Sequence, residues 1–281
     1  MDTTLIVSLA TMGGLGFLFS VVLAVANKKL NVAEDKLVSQ VIEILPNVNC
    51  GACGIASCQD FAVKVVAGSI AVNSCPIGGV PVANELAHLL GVRAIAGERK
   101  VARLMCQGGN GIAVRKNVTF RSAETCAAMA LLSGGDKACY FGCLGDGDCV
   151  AVCPSNAIFM GANGLPIVIE ALCSGCGLCA KACPRGVLEI HPLDRAMFVF
   201  CKNLDGPRSA KSVCAAACLG CGICARLSEG SIRIENNLAV IDYDQLREEI
   251  IPISQCKTKA IGVLKPRSQR VEKDDEVKVA A

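Results

Sequence analysis

Tryptophan is absent from the 281 residues, histidine and tyrosine occur twice each, and aromatic side chains make up only 4%. Two histidines exclude a histidine-rich metal site and leave little scope for imidazole catalysis. The shortage of rings, together with 28 glycines, argues against one large apolar core. It favours two or more small domains organised partly by cofactors. Charge of one sign is scarce as well: 28 basic and 25 acidic residues leave a net +3, too little for a nucleic-acid-binding chain. No Ser/His/Asp set and no paired carboxylates stand out, and Gly108-Gly109-Asn110-Gly111 is not a dinucleotide fingerprint opening a helix. His88 and His191 read as structural. Cysteine is the residue in excess, with 20 copies.

Residues 4–26 carry no charge. At ~1.5 Å per residue in a helix this run reaches roughly 35 Å, enough for a ~30 Å hydrocarbon layer. A cleaved signal peptide is the competing reading, with Ala24-Val25-Ala26 resembling a cleavage site. Against it stand Asp2 in place of a basic residue and an apolar run longer than a typical signal core. Lys28 and Lys29 follow at once, which sets that end and everything after it in the cytoplasm, as expected of a single-pass protein of the inner (plasma) membrane. Gly16, Ser20 and Ala24, spaced by four, form a stripe suited to close helix packing, or are ordinary membrane-helix composition.

Beyond the anchor (residues 1–27) the chain divides into an iron–sulfur module (28–80), a connecting α/β segment (81–132), a two-cluster ferredoxin domain (133–200), a degenerate one-cluster ferredoxin-like domain (201–264) and a charged tail (265–281) with five basic and four acidic side chains, expected to be disordered. Helices are predicted over 31–45, with Leu37, Val41, Ile44 and Leu45 on one face, over 57–67, over 83–90, and over 122–132 with Ser122 as N-cap. Strands are predicted at 100–105, 157–159, 187–190 and 231–234. The fold class expected is α+β: one transmembrane helix, a small helical iron–sulfur module and tandem bacterial-ferredoxin-like domains, the last degenerate. The segments after Cys153, Cys183 and Cys256 share an outline and mark an internal repeat.

The strongest motif is Cys173-x2-Cys176-x2-Cys179-x3-Cys183-Pro184. In a two-cluster ferredoxin, three cysteines of such a run hold one [4Fe-4S] cluster and the fourth holds the other. Its partner is Cys139-x3-Cys143-x5-Cys149-x3-Cys153-Pro154, with widened early gaps. Crossed ligation then assigns one cluster to Cys139, Cys143, Cys149 and Cys183 and a second to Cys153, Cys173, Cys176 and Cys179. In the third region, Cys218, Cys221, Cys224 and Cys256 keep one complete set. Ser228, Leu246, Glu249 and Pro252 stand where the crossed set would be. Loss of one whole set with retention of the other is what crossed ligation implies.

A fourth [4Fe-4S] site is read at Cys50, Cys53, Cys58 and Cys75, where Gly51 and Gly54 allow the backbone close and Cys58 opens a helix; zinc is its alternative. Cys106, Cys126, Cys201 and Cys214 are left over. Cys106 pairs with Cys201, and Cys126 with Cys214, as possible repeat equivalents. Buried free thiols, a further metal site and redox-active pairs all remain open for them. Four oxidised cubanes at roughly −2 each would turn the formal +3 into about −5.

A membrane helix, then Asn49-Cys50-Gly51-Ala52-Cys53-Gly54 with Cys58 and Cys75-Pro76, then Cys106-Gln107-Gly108-Gly109, Cys139-Tyr140-Phe141-Gly142-Cys143-Leu144-Gly145 and paired Cys-Pro runs resemble the RnfB family, the B subunit of the Rnf ion-translocating electron transport complex, in its long polyferredoxin form. The resemblance covers residues 1–264. It implies a translocase component without bond-making chemistry of its own, which takes electrons from soluble ferredoxin. Its amino-terminal cluster would pass them to membrane subunits (A, C, D, E and G are the partners implied), coupling NAD reduction to sodium or proton movement. A polyferredoxin component of another membrane oxidoreductase such as a hydrogenase, and a reducing module for a redox-sensing regulator, are the alternatives.

Overall fold

The uncharged amino-terminal run folds, in a computed structural model of the chain, as one helix, α1, Thr3–Leu30. The structure describes residues 3–30, 35–93, 97–117, 124–246 and 253–264, so the expected tail lies outside the described residues. Within α1, Val7–Ala26 has a mean hydropathy of 2.1, long and apolar enough to cross a membrane. This stretch is not buried against the rest of the described chain: Phe17 is 74% and Leu9 71% exposed. Two of its hydroxyls bond inside the helix, Ser20 Oγ donating to the Gly16 carbonyl at 2.8 Å and Thr11 Oγ1 to that of Val7 at 2.9 Å. Such local satisfaction is what a lipid environment demands of polar groups.

Three helices build the next unit: α2 (Lys36–Ile44), α3 (Cys58–Val66) and α4 (Gly79–Leu90). The Asp35 carboxylate accepts from Leu37 N–H at 3.0 Å and caps α2; the expected start of that helix, residues 31–34, lies outside the described residues. Ser57 Oγ caps α3 by accepting from Asp60 N–H at 3.0 Å. α4 begins four residues before the predicted position because Pro81 fits its first turn, where a missing N–H is harmless. Val41, Phe61, Val65 and Leu86 form the core between them.

The remaining elements are β1 (Lys100–Leu104), α5 (Cys126–Leu131), α6 (Asp148–Ala151), β2 (Ile158–Met160), β3 (Pro166–Val168), α7 (Leu178–Ala182), β4 (Leu188–Pro192), β5 (Met197–Val199), α8 (Pro207–Val213), α9 (Ile223–Leu227), β6 (Ile232–Glu235), β7 (Leu238–Ile241) and β8 (Ile261–Val263). Four antiparallel two-stranded sheets result among the described residues. β1 pairs with β4, from Lys100↔Pro192 to Leu104↔Leu188, and encloses the β2–β3 hairpin in sequence. β5 pairs with β8 and encloses β6–β7 in the same order. Thus β1, expected to belong to a connecting segment, is the sheet partner of the strand after Cys183. The predicted cap of α5 is replaced. Thr125 Oγ1 accepts from Ala128 N–H at 3.1 Å and the helix opens at Cys126, while Ser122 lies outside the described residues.

The two sheet units meet along a shared wall. Phe198, fully buried, sets its ring 5.0 Å from that of His191, and Arg195 lies 3.7 Å over the Tyr243 ring. Glu189 forms an ion pair with Lys202 and a 2.9 Å hydrogen bond with His191, which makes His191 a structural residue here. Backbone bonds from Val114 N–H to Val213 O at 2.9 Å and from Ala215 N–H to Ile112 O at 3.0 Å tie the units together again.

Candidate iron–sulfur sites

In the helical unit, Cys53, Cys58 and Cys75 pack against one core and feel one another electrostatically at Cys75, with Cys50 three residues before Cys53. Cys58 is the first residue of α3, and Asn49 Oδ1 accepts its N–H at 2.8 Å, which fastens the Cys50 loop to the helix start. The Cys75 Sγ accepts from Gly78 N–H at 3.4 Å. All four thiols remain partly exposed.

In the first sheet unit, Cys153, Cys173 and Cys179 pack together, and Cys179 lies within electrostatic reach of Cys173 and Cys176. The Cys173 Sγ accepts from Ala102 N–H at 3.4 Å, so β1 reaches over this site. The Cys153 Sγ accepts from Ala157 N–H at 3.3 Å. The fold brings Cys153, together with Cys149, to the later run.

The cavity linings divide the remaining thiols of this unit differently from their spacing. A cavity is lined by Cys126, Cys143, Cys149 and Cys183, with Arg185 at its edge. Cys139, assigned to this group from spacing, instead lines a separate cavity with Cys106, Cys201 and Cys214. The reason lies in α5. The Asp148 carboxylate accepts from both Cys126 N–H, at 2.9 Å, and Ala127 N–H, at 3.0 Å, and holds the helix start against α6. Cys126 thereby enters the cavity from outside the run.

Register explains the difference. α6, α7 and α9 each follow a left-handed glycine (Gly147 φ 83°, Gly177 φ 79°, Gly222 φ 71°), with the cysteine of the run two residues on: Cys149, Cys179 and Cys224. A left-handed turn at this point suits glycine because it has no Cβ. Aligned on that turn, Cys143 matches Cys218, Asp146 matches Cys221, and Cys139 matches Cys214; the pairing of Cys126 with Cys214 as repeat equivalents fails. Asp146 stands at the position of Cys221, and Cys126 lines the cavity beside Cys143 and Cys149.

Cys218, Cys221, Cys224 and Cys256 line a third, larger cavity walled by Leu219, Ile223 and Ala239. Ser228 fits the same register: its Oγ accepts from Ile232 N–H at 3.0 Å, four residues on, as the Cys153 Sγ does from Ala157. Leu246 is described, while positions 249 and 252 lie outside the described residues.

Burial pushes the Cys143 and Cys179 thiols up to about 12, and those of Cys149 and Cys201 to about 11. An apolar pocket disfavours a bare thiolate; positively charged iron would hold it deprotonated and release the protons. Among the described residues no three His, Cys, Asp or Glu side chains close on a single ion. The thiols line cavities instead.

Sulfur-lined cavities between short sheets, behind a helix of membrane length, define an iron–sulfur protein of the ferredoxin type. Family profiles agree: one described as "Putative Fe-S cluster" matches residues 45–77 and one described as "4Fe-4S binding domain" matches residues 166–189. The chain is 37% identical over 263 residues (93% of it, 79% of the relative) to the B subunit of the Na(+)-translocating ferredoxin:NAD(+) oxidoreductase complex of Acetobacterium woodii. It is 39% identical over 265 residues (93% of each) to the B subunit of the proton-translocating ferredoxin:NAD(+) oxidoreductase complex of Clostridium ljungdahlii. It is 37% identical over 262 residues (93% and 99%) to the B subunit of the ion-translocating oxidoreductase complex of Methanosarcina acetivorans. The chain belongs to this RnfB family, the B subunits of Rnf-type ion-translocating oxidoreductase complexes.

Proposed function

We propose that the chain is the membrane-anchored electron-transfer component of such a complex, taking electrons from reduced ferredoxin and handing them to integral membrane subunits. The observation that carries this is the convergence of cysteines from distant parts of the sequence, such as Cys126 with Cys183, on separate cavities. Four [4Fe-4S] sites follow: Cys50, Cys53, Cys58 and Cys75; Cys126, Cys143, Cys149 and Cys183; Cys153, Cys173, Cys176 and Cys179; Cys218, Cys221, Cys224 and Cys256. The cubane supplies one-electron chemistry when bound. The chain supplies thiolates, backbone N–H donors to sulfur and apolar walls that keep water out. The sheet units are read as tandem ferredoxin-like domains, the second having lost one of two sites.

Cys149 and Cys179 lie within electrostatic reach of each other, which supports two of the sites standing side by side. The helical unit directly follows α1, which supports the amino-terminal site as the exit toward the membrane. Lys28 and Lys29 support a cytoplasmic position for everything after α1. Ferredoxin and the other Rnf-type subunits are the partners this reading requires.

Replacement of Cys53 by Ala in the assembled complex tests the order. Ferredoxin-driven NAD reduction is expected to fall more than tenfold, while the EPR signals of the carboxy-terminal sites persist on reduction. Retention of full activity would show that electrons bypass the amino-terminal site.

A further inference from the structure

The geometry points to a fifth [4Fe-4S] site, at Cys106, Cys139, Cys201 and Cys214, built across the boundary of the two sheet units. It deepens the electron-transfer reading and rests on it. These four thiols line one cavity with Lys137 and Asn203. It is similar in size to the cavity at Cys126 and Cys183. A Cβ placed on Gly108 would lie 3.6 Å from the Sγ atoms of both Cys106 and Cys214, so the glycine keeps the space between them open.

The site is two half-sites in matching register. Cys106 follows β1 and Cys201 follows β5, each two residues past the strand. Cys106 Sγ accepts from Gly108 N–H, two residues on, and from Cys143 N–H, both at 3.4 Å. Cys201 Sγ accepts from Asn203 N–H, two residues on, at 3.4 Å and from Cys218 N–H at 3.3 Å. Cys143 and Cys218 are themselves register equivalents, as are Cys139 and Cys214. The Cys139 Sγ takes a further bond of 3.3 Å from the Nδ2 of Asn203, which is 1% exposed. Four buried or half-buried sulfurs furnished with N–H donors are what a cluster ligand shell requires.

Lys137 is the independent sign of an occupant. It is 2% exposed, lines the cavity, and its Nζ has no hydrogen-bond partner among the described residues. Asp146 feels its charge without bonding to it. A buried ammonium left without a partner is costly. A cubane held by four thiolates carries about −2 and supplies the missing counter-charge.

Position gives the site its role. Cys106 shares a hydrogen bond with Cys143, a ligand of one neighbouring site, and Cys201 with Cys218, a ligand of another. The fifth cluster therefore bridges the second sheet unit to the first. It takes one electron from the cluster on one side and gives one to the cluster on the other, with reduced ferredoxin as the source and no proton or bond change. Every cysteine of the 20 in the chain then has a partner set.

The test uses the full chain, purified in detergent without oxygen, as wild type, as Cys201→Ala with Cys214→Ala, and as Lys137→Met. Wild type is expected to hold about twenty irons with equal sulfide, and the double variant about sixteen with one EPR component gone. Lys137→Met is expected to keep all its iron while one component titrates at lower potential, because the lost cation favoured the reduced, more negative state. This variant keeps the proposal testable should the double variant fail to fold. About sixteen irons in wild type, unaltered in the double variant, or a Lys137→Met titration that overlays wild type, would overturn the fifth site and leave the other four standing. A chain with almost no iron would overturn both.

Discussion

Counted from the left-handed glycine before each short helix, the two sheet units can be compared position by position. Cys143 and Cys149 of the first stand where Cys218 and Cys224 stand in the second, and Cys183 answers to Cys256. Asp146 corresponds to Cys221, and Cys153 to Ser228. The strand order is the same in both. In the proposed assignment the first unit takes its fourth ligand, Cys126, from α5, whose start is gripped by Asp148. The second, which holds one site on the same proposal, has the Ser228 hydroxyl on the Ile232 N–H. The same strand order can thus carry a thiol or a hydroxyl at the position that accepts the N–H four residues on.

The sharpest way to break this comparison is at Asp146. Cys126→Ala should remove one cluster, lower iron by about four per chain and cut ferredoxin-driven electron transfer more than tenfold. Adding Asp146→Cys would rebuild the run as it stands in the second unit, and should restore both iron and transfer. If the second change restored nothing, the register drawn here would be wrong.

Ser228 probes the other side. Ser228→Ala leaves the buried Ile232 N–H without its acceptor and should cost about 1–3 kcal/mol in guanidinium unfolding. Ser228→Cys should bind no additional iron, since Leu246 stands where a companion thiol would be needed. Iron gained by that variant would contradict the crossed assignment.

The smallest effect is expected at the wall between the units. The His191 hydrogen bond, and after it Lys202, hold the Glu189 carboxyl at about 2, below its ordinary 4.5. A lowered carboxyl contributes stability above its unfolded pKa, and that contribution fades as pH falls toward the folded value. Glu189→Gln should therefore cost about 1 kcal/mol near neutrality, this partly exposed pair being screened by solvent. The gap from wild type should close between pH 4.5 and about 2. A gap independent of pH would mean that packing, not charge, is what the substitution removes.

Much of this was legible from residue spacing alone. The gathering of Cys218, Cys221, Cys224 and Cys256 on one cavity and of Cys53, Cys58 and Cys75 on one core follows their spacing, and the uncharged run needs only its length to suggest a membrane helix. Cys126 was not legible, because it arrives by a helix docked through Asp148, a contact made 22 residues away. Nor was the pairing of β1 with β4, which spans the whole unit. Lys137 is one of 28 basic residues until burial singles it out. The match of Cys139-x3-Cys143 to Cys214-x3-Cys218 is present in the sequence. It emerges only when the Gly-x-Cys turns set the frame, because the gap before Cys149 is longer than the gap before Cys224.

The most direct test of the central claim, that thiols gathered around cavities hold iron–sulfur cubes for electron transfer, is a Mössbauer spectrum of the iron-57-enriched full chain before and after addition of reduced ferredoxin. Delocalised cubane iron throughout, shifting on reduction in proportion to the electrons taken up, is the outcome predicted. Isolated tetrahedral iron, or zinc in its place with no response to ferredoxin, would contradict it.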